Sequence, residues 1–145
     1  MKKKLLGIMF VFILIQFVRP EKNISKKQEN DISKEFKIPK NIQEIIKNSC
    51  ADCHSNNTNY PWYSEIAPVS WYLAMHVNKG KEHLNFSEWT MYNNNQKKHI
   101  FSDLEEVIES HEMPLKSYLL LHKEVEINNS QYNALYDWVK TLKVE

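Results

Sequence analysis

Pro39-Lys40-Asn41-Ile42-Gln43-Glu44-Ile45-Ile46-Lys47-Asn48-Ser49 runs straight into Cys50-Ala51-Asp52-Cys53-His54. Pro39 suits a first helical turn, and Ile42, Ile45 and Ile46 follow at i, i+3 and i+4, so residues 39 to 49 are expected to form a short amphipathic helix. That helix hands the chain directly to the two cysteines. Ser55 to Pro61, rich in asparagine, reads as loop. A second helix is expected from Pro68 to Asn78, ended by Gly80. A third is expected to start at Ser102-Asp103-Leu104-Glu105, a capping-box pattern, and to carry Leu104, Val107, Ile108 and His111 on one stripe. A fourth starts at Asn128, with Gln131 three residues on, and puts Tyr132, Leu135, Tyr136, Val139 and Leu142 on one face. Strand-like alternation is nowhere sustained, and two glycines in the whole chain argue against a hairpin-rich fold. The expected class is all-α.

Cys50-Ala51-Asp52-Cys53-His54 fits C-x-x-C-H, the attachment pattern of c-type haem. Two thiols separated by two residues on a helical turn can each add to one vinyl group of a porphyrin, and the next residue then lies beneath the iron. An imidazole there becomes the proximal ligand without further loop closure. Cys50 and Cys53 are therefore candidates for covalent attachment and His54 for iron ligation. Other readings explain less. A structural zinc site wants about four ligands, and there is no second C-x-x-C pair. A thioredoxin-like redox pair wants a βαβ context that is missing, and a plain disulfide leaves His54 without a role.

Met113, in Glu112-Met113-Pro114-Leu115, leads as sixth ligand: thioether is a known haem ligand, Pro114 stiffens the loop, and a helix end precedes it. The bland reading is a methionine that fills a core gap. His76, His83, His99, His111 and His122 are rivals, with His76 and His111 ahead of the others, and an open five-coordinate iron is a further possibility. Trp62, Trp71, Trp89 and Trp138 could line a haem pocket; core packing is the favoured role for any one of them.

The 145-residue chain has room for one domain. Lys2-Lys3-Lys4 followed by an almost wholly apolar run from Leu5 to Val18 has the order of an export signal, so residues 1–19 are expected to be a signal peptide or an uncleaved membrane anchor. The run is short for a spanning helix, yet no small-x-small cleavage site comes after it. The lysines would stay inside, placing the rest of the chain on the extracytoplasmic, periplasmic side. Residues 20–37, with Ile24, Ile32 and Phe36 widely scattered among polar residues, read as a solvated flexible tether. The folded domain is expected over residues 38–145. A net charge of +1 gives no basic stripe, so nucleic acid is not an expected partner. Two cysteines exclude a disulfide-dense scaffold.

The order of helix, C-x-x-C-H, helices, Met-Pro loop and C-terminal amphipathic helix resembles class I cytochromes c. More closely, Cys50 to Ser55, Tyr60-Pro61-Trp62-Tyr63-Ser64, Ile66-Ala67-Pro68-Val69-Ser70-Trp71, His76-Val77, His83-Leu84-Asn85-Phe86-Ser87-Glu88-Trp89 and Glu112-Met113-Pro114-Leu115 with Tyr118 and His122 resemble the bacterial haem-binding domain family of small exported cytochrome-like proteins. The resemblance covers about Ile38 to Lys143. It implies a small cytochrome c-like helical domain wrapped around one haem c, attached at Cys50 and Cys53, with His54 on the iron. Transfer of the ligand role to Met113 rests on the class I pattern. The stretch from Trp62 to Trp89 is longer and more aromatic than its counterpart in the simplest cytochromes c. The expected function is one-electron transfer from a membrane-tethered position, with redox proteins at the membrane and the cytochrome c maturation machinery as partners. A haem-based sensor with a labile or open distal position is the alternative. Peroxide reduction ranks last, because no distal acid–base pair is visible.

Overall fold

The structure, a computed structural model, describes residues 1–142, so the last three residues of the domain expected over 38–145 lie outside the described residues. Helix α1 (Lys2–Ile15) opens with three lysines, is apolar all round from Leu5 onward, and buries none of its residues. No helix among the described residues is long and apolar enough to cross a membrane.

After α1 the chain does not run free. Gln16 exchanges two hydrogen bonds with the backbone of Ala67, accepting from its N–H at 2.9 Å and donating to its carbonyl at 3.1 Å. Trp71 Nε1 donates to the Val18 carbonyl at 2.7 Å, and Arg19 and Lys22 both pair with Glu65. Residues 23–25 lie along residues 56–58: Thr58 N–H donates to the Asn23 carbonyl, Ser25 N–H donates to the Asn56 carbonyl, and Ile24 bridges to Asn57. Further on, a 3-10 turn at Ile32–Lys34, capped by Asp31, buries Ile32 to 3% exposure. Phe36 meets Trp89 and Phe101 edge to face, each at 5.9 Å between ring centroids. Over residues 20–37, expected from the sequence as a solvated tether, the structure places these contacts with the rest of the chain. Ile24 is exposed, but Ile32 and Phe36 stand four residues apart on one side of a turn. They are too few for a core of their own, yet enough to extend one built elsewhere.

The expected first helix is present and longer than its apolar pattern. Helix α2 (Lys40–Ile45) continues through a π turn (Ile46–Cys50) into α3 (Ala51–His54), so cysteines and histidine stand on one unbroken helical segment. Helix α4 (Val69–His83) runs through Gly80 rather than ending there. A 3-10 stretch (Phe86–Met91) buries Phe86 and Trp89. Helix α5 (Asn94–Ser110) starts eight residues before Ser102, because Asn93 and Gln96 form the capping box that satisfies its first N–H groups. Ser102 is an exposed mid-helix residue. His111 closes α5 in the left-handed conformation, φ 55°. Helix α6 (Lys116–Leu119) is a single turn. Helix α7 (Asn129–Thr141) has its capping box at Asn128 and Gln131 and buries Tyr132, Leu135, Trp138 and Val139, as its pattern requires. Among the described residues there is no strand.

The core joins Ile42 and Ile45 of α2, Ile100, Phe101 and Ile108 of α5, the buried face of α7, and Ile32, Leu84, Phe86 and Trp89. Each fully buried aliphatic side chain contributes roughly 1.5–3 kcal/mol. Trp89 and Trp138 are core residues, at 0% and 8% exposure, whereas Trp62 stands in solvent at 78%. With α2 packed on α7 and α5 on α7, the α3 turn is presented to α4 at the edge of this core.

Candidate functional site

Helix α3 lies unusually close to α4, and Gly80 is the reason. A Cβ at Gly80 would stand 2.6 Å from the Cys53 carbonyl oxygen and 3.0 Å from the Cys53 Cβ, so no other residue fits without separating the two helices. The contact fixes His54, the last residue of α3. Its Nδ1 lies 3.0 Å from the Leu84 carbonyl, which can only accept, so Nδ1 carries the proton and Nε2 is left with a free lone pair. Burial lowers the His54 pKa, and the Leu84 and Gly80 carbonyls partly oppose that shift. The neutral ring is the form that binds metals.

Cys50 and Cys53 are unpaired. Each keeps some exposed surface, but surrounding atoms enclose the sulfurs. Burial, then the neighbouring Cys53, pushes Cys50 up to about 12; burial, then Asp52, pushes Cys53 up to about 11. Both are thiols at neutral pH, inert until something removes a proton. Among the described residues no group of three or more His, Cys, Asp and Glu side chains forms a metal cluster.

Asp52, between the cysteines, is held on every side. Its carboxylate accepts from Asn59 N–H at 2.9 Å and from the Tyr118 hydroxyl at 2.7 Å, and its carbonyl accepts from Thr58 Oγ1 at 2.6 Å. Tyr118 stacks on His122 at 4.4 Å, and His122 meets the Tyr63 hydroxyl through Nε2 and Glu124 through Nδ1. Burial and the Asp52 carboxylate both raise the Tyr118 pKa. Side chains distant in sequence thus converge on the middle of the motif.

Met113 is 37% exposed, so it does not fill a core gap. Its carbonyl accepts from the Tyr132 hydroxyl at 2.7 Å. Tyr132 stacks on His111 at 3.9 Å and lies close enough to Cys50 for a charge there to raise the phenol's pKa, after burial. Tyr132 is thus a common neighbour of the Met113 backbone and Cys50. The rival histidines are engaged differently. Both nitrogens of His122 are taken, His99 pairs with Asp103 on the exposed face of α5, His111 is stacked, and His83 is exposed near the end of α4. His76 has Nδ1 on the Tyr72 carbonyl and keeps Nε2 available. A groove of about 430 Å³ between α2 and α7, lined by Phe36, Ile42 and Trp138 among others, includes no motif residue.

Gly80, Leu84, Tyr118 and Tyr132 are the residues around the motif whose roles sequence patterns do not reveal. Gly80 reads in the sequence as the end of its helix, which hides its packing role.

Two free thiols and an imidazole held by a backbone carbonyl through Nδ1, within five consecutive helical residues, are groups whose chemistry fits a haem. The family model described as haem-binding domain matches residues 10–141, and the chain belongs to that family. Comparison with curated proteins and with solved structures gives no match.

Proposed function

We propose that the protein carries one haem c, attached through Cys50 and Cys53, with His54 as proximal and Met113 as distal iron ligand, and that it moves single electrons on the extracytoplasmic side of a membrane to which α1 holds it. The observation that carries the proposal is the His54 Nδ1 to Leu84 hydrogen bond, which puts the ring proton on Nδ1 and leaves Nε2 unprotonated, on the residue that follows two unpaired thiols. Each thioether forms by addition of S–H across a vinyl double bond: sulfur bonds one carbon, the proton goes to the other, and no oxidant is consumed. Bound haem supplies a reversible one-electron couple. The chain holds the imidazole in one tautomer, and the Tyr132 hydroxyl fixes the Met113 backbone.

Protein matured in a bacterium competent for haem attachment is expected to retain its haem through acid–acetone extraction and to gain the mass of one haem. Loss of haem together with an unaltered polypeptide mass overturns the assignment of Cys50 and Cys53. Met113→Ala is expected to change the visible spectrum and let the ferrous protein bind carbon monoxide; an unchanged spectrum removes Met113 from the iron.

A sensor or binding module with a labile distal position is the second reading, favoured by the exposure of Met113 and by its tie to the fold through its carbonyl. Ready binding of carbon monoxide by the unmutated ferrous protein selects it over electron transfer.

A further inference from the structure

We infer that residues 16–25 form a strap that mounts the domain flush on a lipid bilayer, with Trp62, Ile66 and Val69 seated in the interfacial layer. The inference rests on the proposal that α1 is held in a membrane and adds how the body of the protein meets that membrane. The ten residues from Leu5 to Leu14 are apolar, nine of them large side chains with exposures from 48% to 68%, a surface that demands cover. The apolar run does not stop with the helix: Phe17 and Val18 come next, 80% and 62% exposed. The clamp to the domain starts inside this run, at Gln16, whose side-chain amide oxygen accepts from Ala67 N–H and whose amide nitrogen donates to the Ala67 carbonyl, and continues at Val18, whose carbonyl accepts from Trp71. No spacer separates the apolar segment from the folded body.

Depth is set by these contacts. Gln16 ends the apolar helix, so Ala67, hydrogen-bonded to it, lies at the same level. Ile66 and Val69 stand one and two residues from Ala67, 38% and 40% exposed. At about 3.8 Å per residue they fall within the interfacial zone, which is roughly 5–8 Å deep on each side of the hydrocarbon. Trp62 belongs to the preceding 3-10 turn and is 78% exposed, an unfavourable state for an indole in water and a preferred one at the interface. Arg19 and Lys22, paired with Glu65, put cations at headgroup level. Beyond them Asn23 and Ser25 bond to Thr58 and Asn56, two to four residues after His54, so the strap also sets the angle at which the C-x-x-C-H turn faces the membrane.

The full-length protein in vesicles of phosphatidylcholine and phosphatidylglycerol carrying a photoactivatable diazirine lipid tests this, with label sites mapped by mass spectrometry. Label is expected on α1 and also on Trp62, Ile66 and Val69. In the Gln16→Ala/Glu65→Lys double variant, with helix content checked by circular dichroism, label at those three residues is expected to fall to background while α1 stays labelled; Trp71→Phe, which deletes one strap bond, is expected to weaken it. Label on α1 alone in the unmutated protein overturns the mount and leaves the membrane proposal standing, as does label at the three residues that ignores the double variant. Failure to float with vesicles at all sinks the membrane proposal and the strap with it.

Discussion

Gly80 weakens α4 intrinsically, by about 1 kcal/mol relative to alanine. The compensation is contact with the Cys53 backbone. Gly80→Ala forces a methyl group to within 2.6 Å of a carbonyl oxygen, and the helices must separate. Overpacking of this kind costs about 1–3 kcal/mol, so the variant should unfold at lower denaturant, retain less haem after maturation, and show a changed His54 environment in the visible spectrum of whatever haem it holds. The two thiols make a prediction with a definite sign. Their folded-state values, about 12 and 11, lie above the ordinary 9.0, so proton retention favours the fold. The stability they contribute is complete below about pH 9 and is lost as pH rises toward 11 to 12. Haem-free protein should show a falling denaturant midpoint across that window relative to a Cys50→Ser/Cys53→Ser variant. With the proposed attachment in place, haem-loaded protein should lack this component, since a thioether sulfur does not titrate. The cysteines and histidine were legible as a motif, but the groups that orient them were not, because one acts through a backbone carbonyl and the other through lack of a side chain.

Among the elements, legibility tracked how completely the local sequence specified its own ends. Helix α7 has its cap, its partner three residues on, and an unbroken apolar face, and it formed where expected. Helix α5 has an equally good box at Asn93 and Gln96, but it sits in a run of three asparagines that resembles loop, while Ser102 to Glu105 offered a decoy. The decoy lost because Ile100 and Phe101 are buried ahead of it. Helix α4 outran Gly80 because packing on α3 outweighs the local propensity to stop. The two boxes give matched tests: Asn93→Ala and Asn128→Ala should each lower stability by about 1 kcal/mol, read by thermal or denaturant melting, with the α5 variant losing helix at residues 94–97 first in hydrogen exchange.

At the scale of the molecule, the segment before the first core helix belongs to the fold, and long-range pairing makes it so. Lys97 is 7% exposed and pairs with Glu35, with its Nζ 5.7 Å from the centre of the Trp89 ring. Glu35→Ala leaves that ammonium enclosed without its partner. Because Glu35 is itself partly exposed, a loss of ~3 kcal/mol is expected, the low end for breaking a buried pair; a change under half of that in urea melts means the lysine escapes to water. Sequence alone could not reveal this pairing, since 62 residues separate the partners. The π turn at Ile46–Cys50 has its consequence at this scale too. It inserts one residue into an otherwise regular coil, and one residue of an α-helix corresponds to a swing of about 100°. Ile42 and Ile45 are committed to the interior, so the C-terminal half of the segment takes up that swing entirely. Removing a single residue between 46 and 49 would restore regular winding and rotate Cys50, Cys53 and His54 together about the helix axis, keeping their spacing intact while aiming all three in the wrong direction.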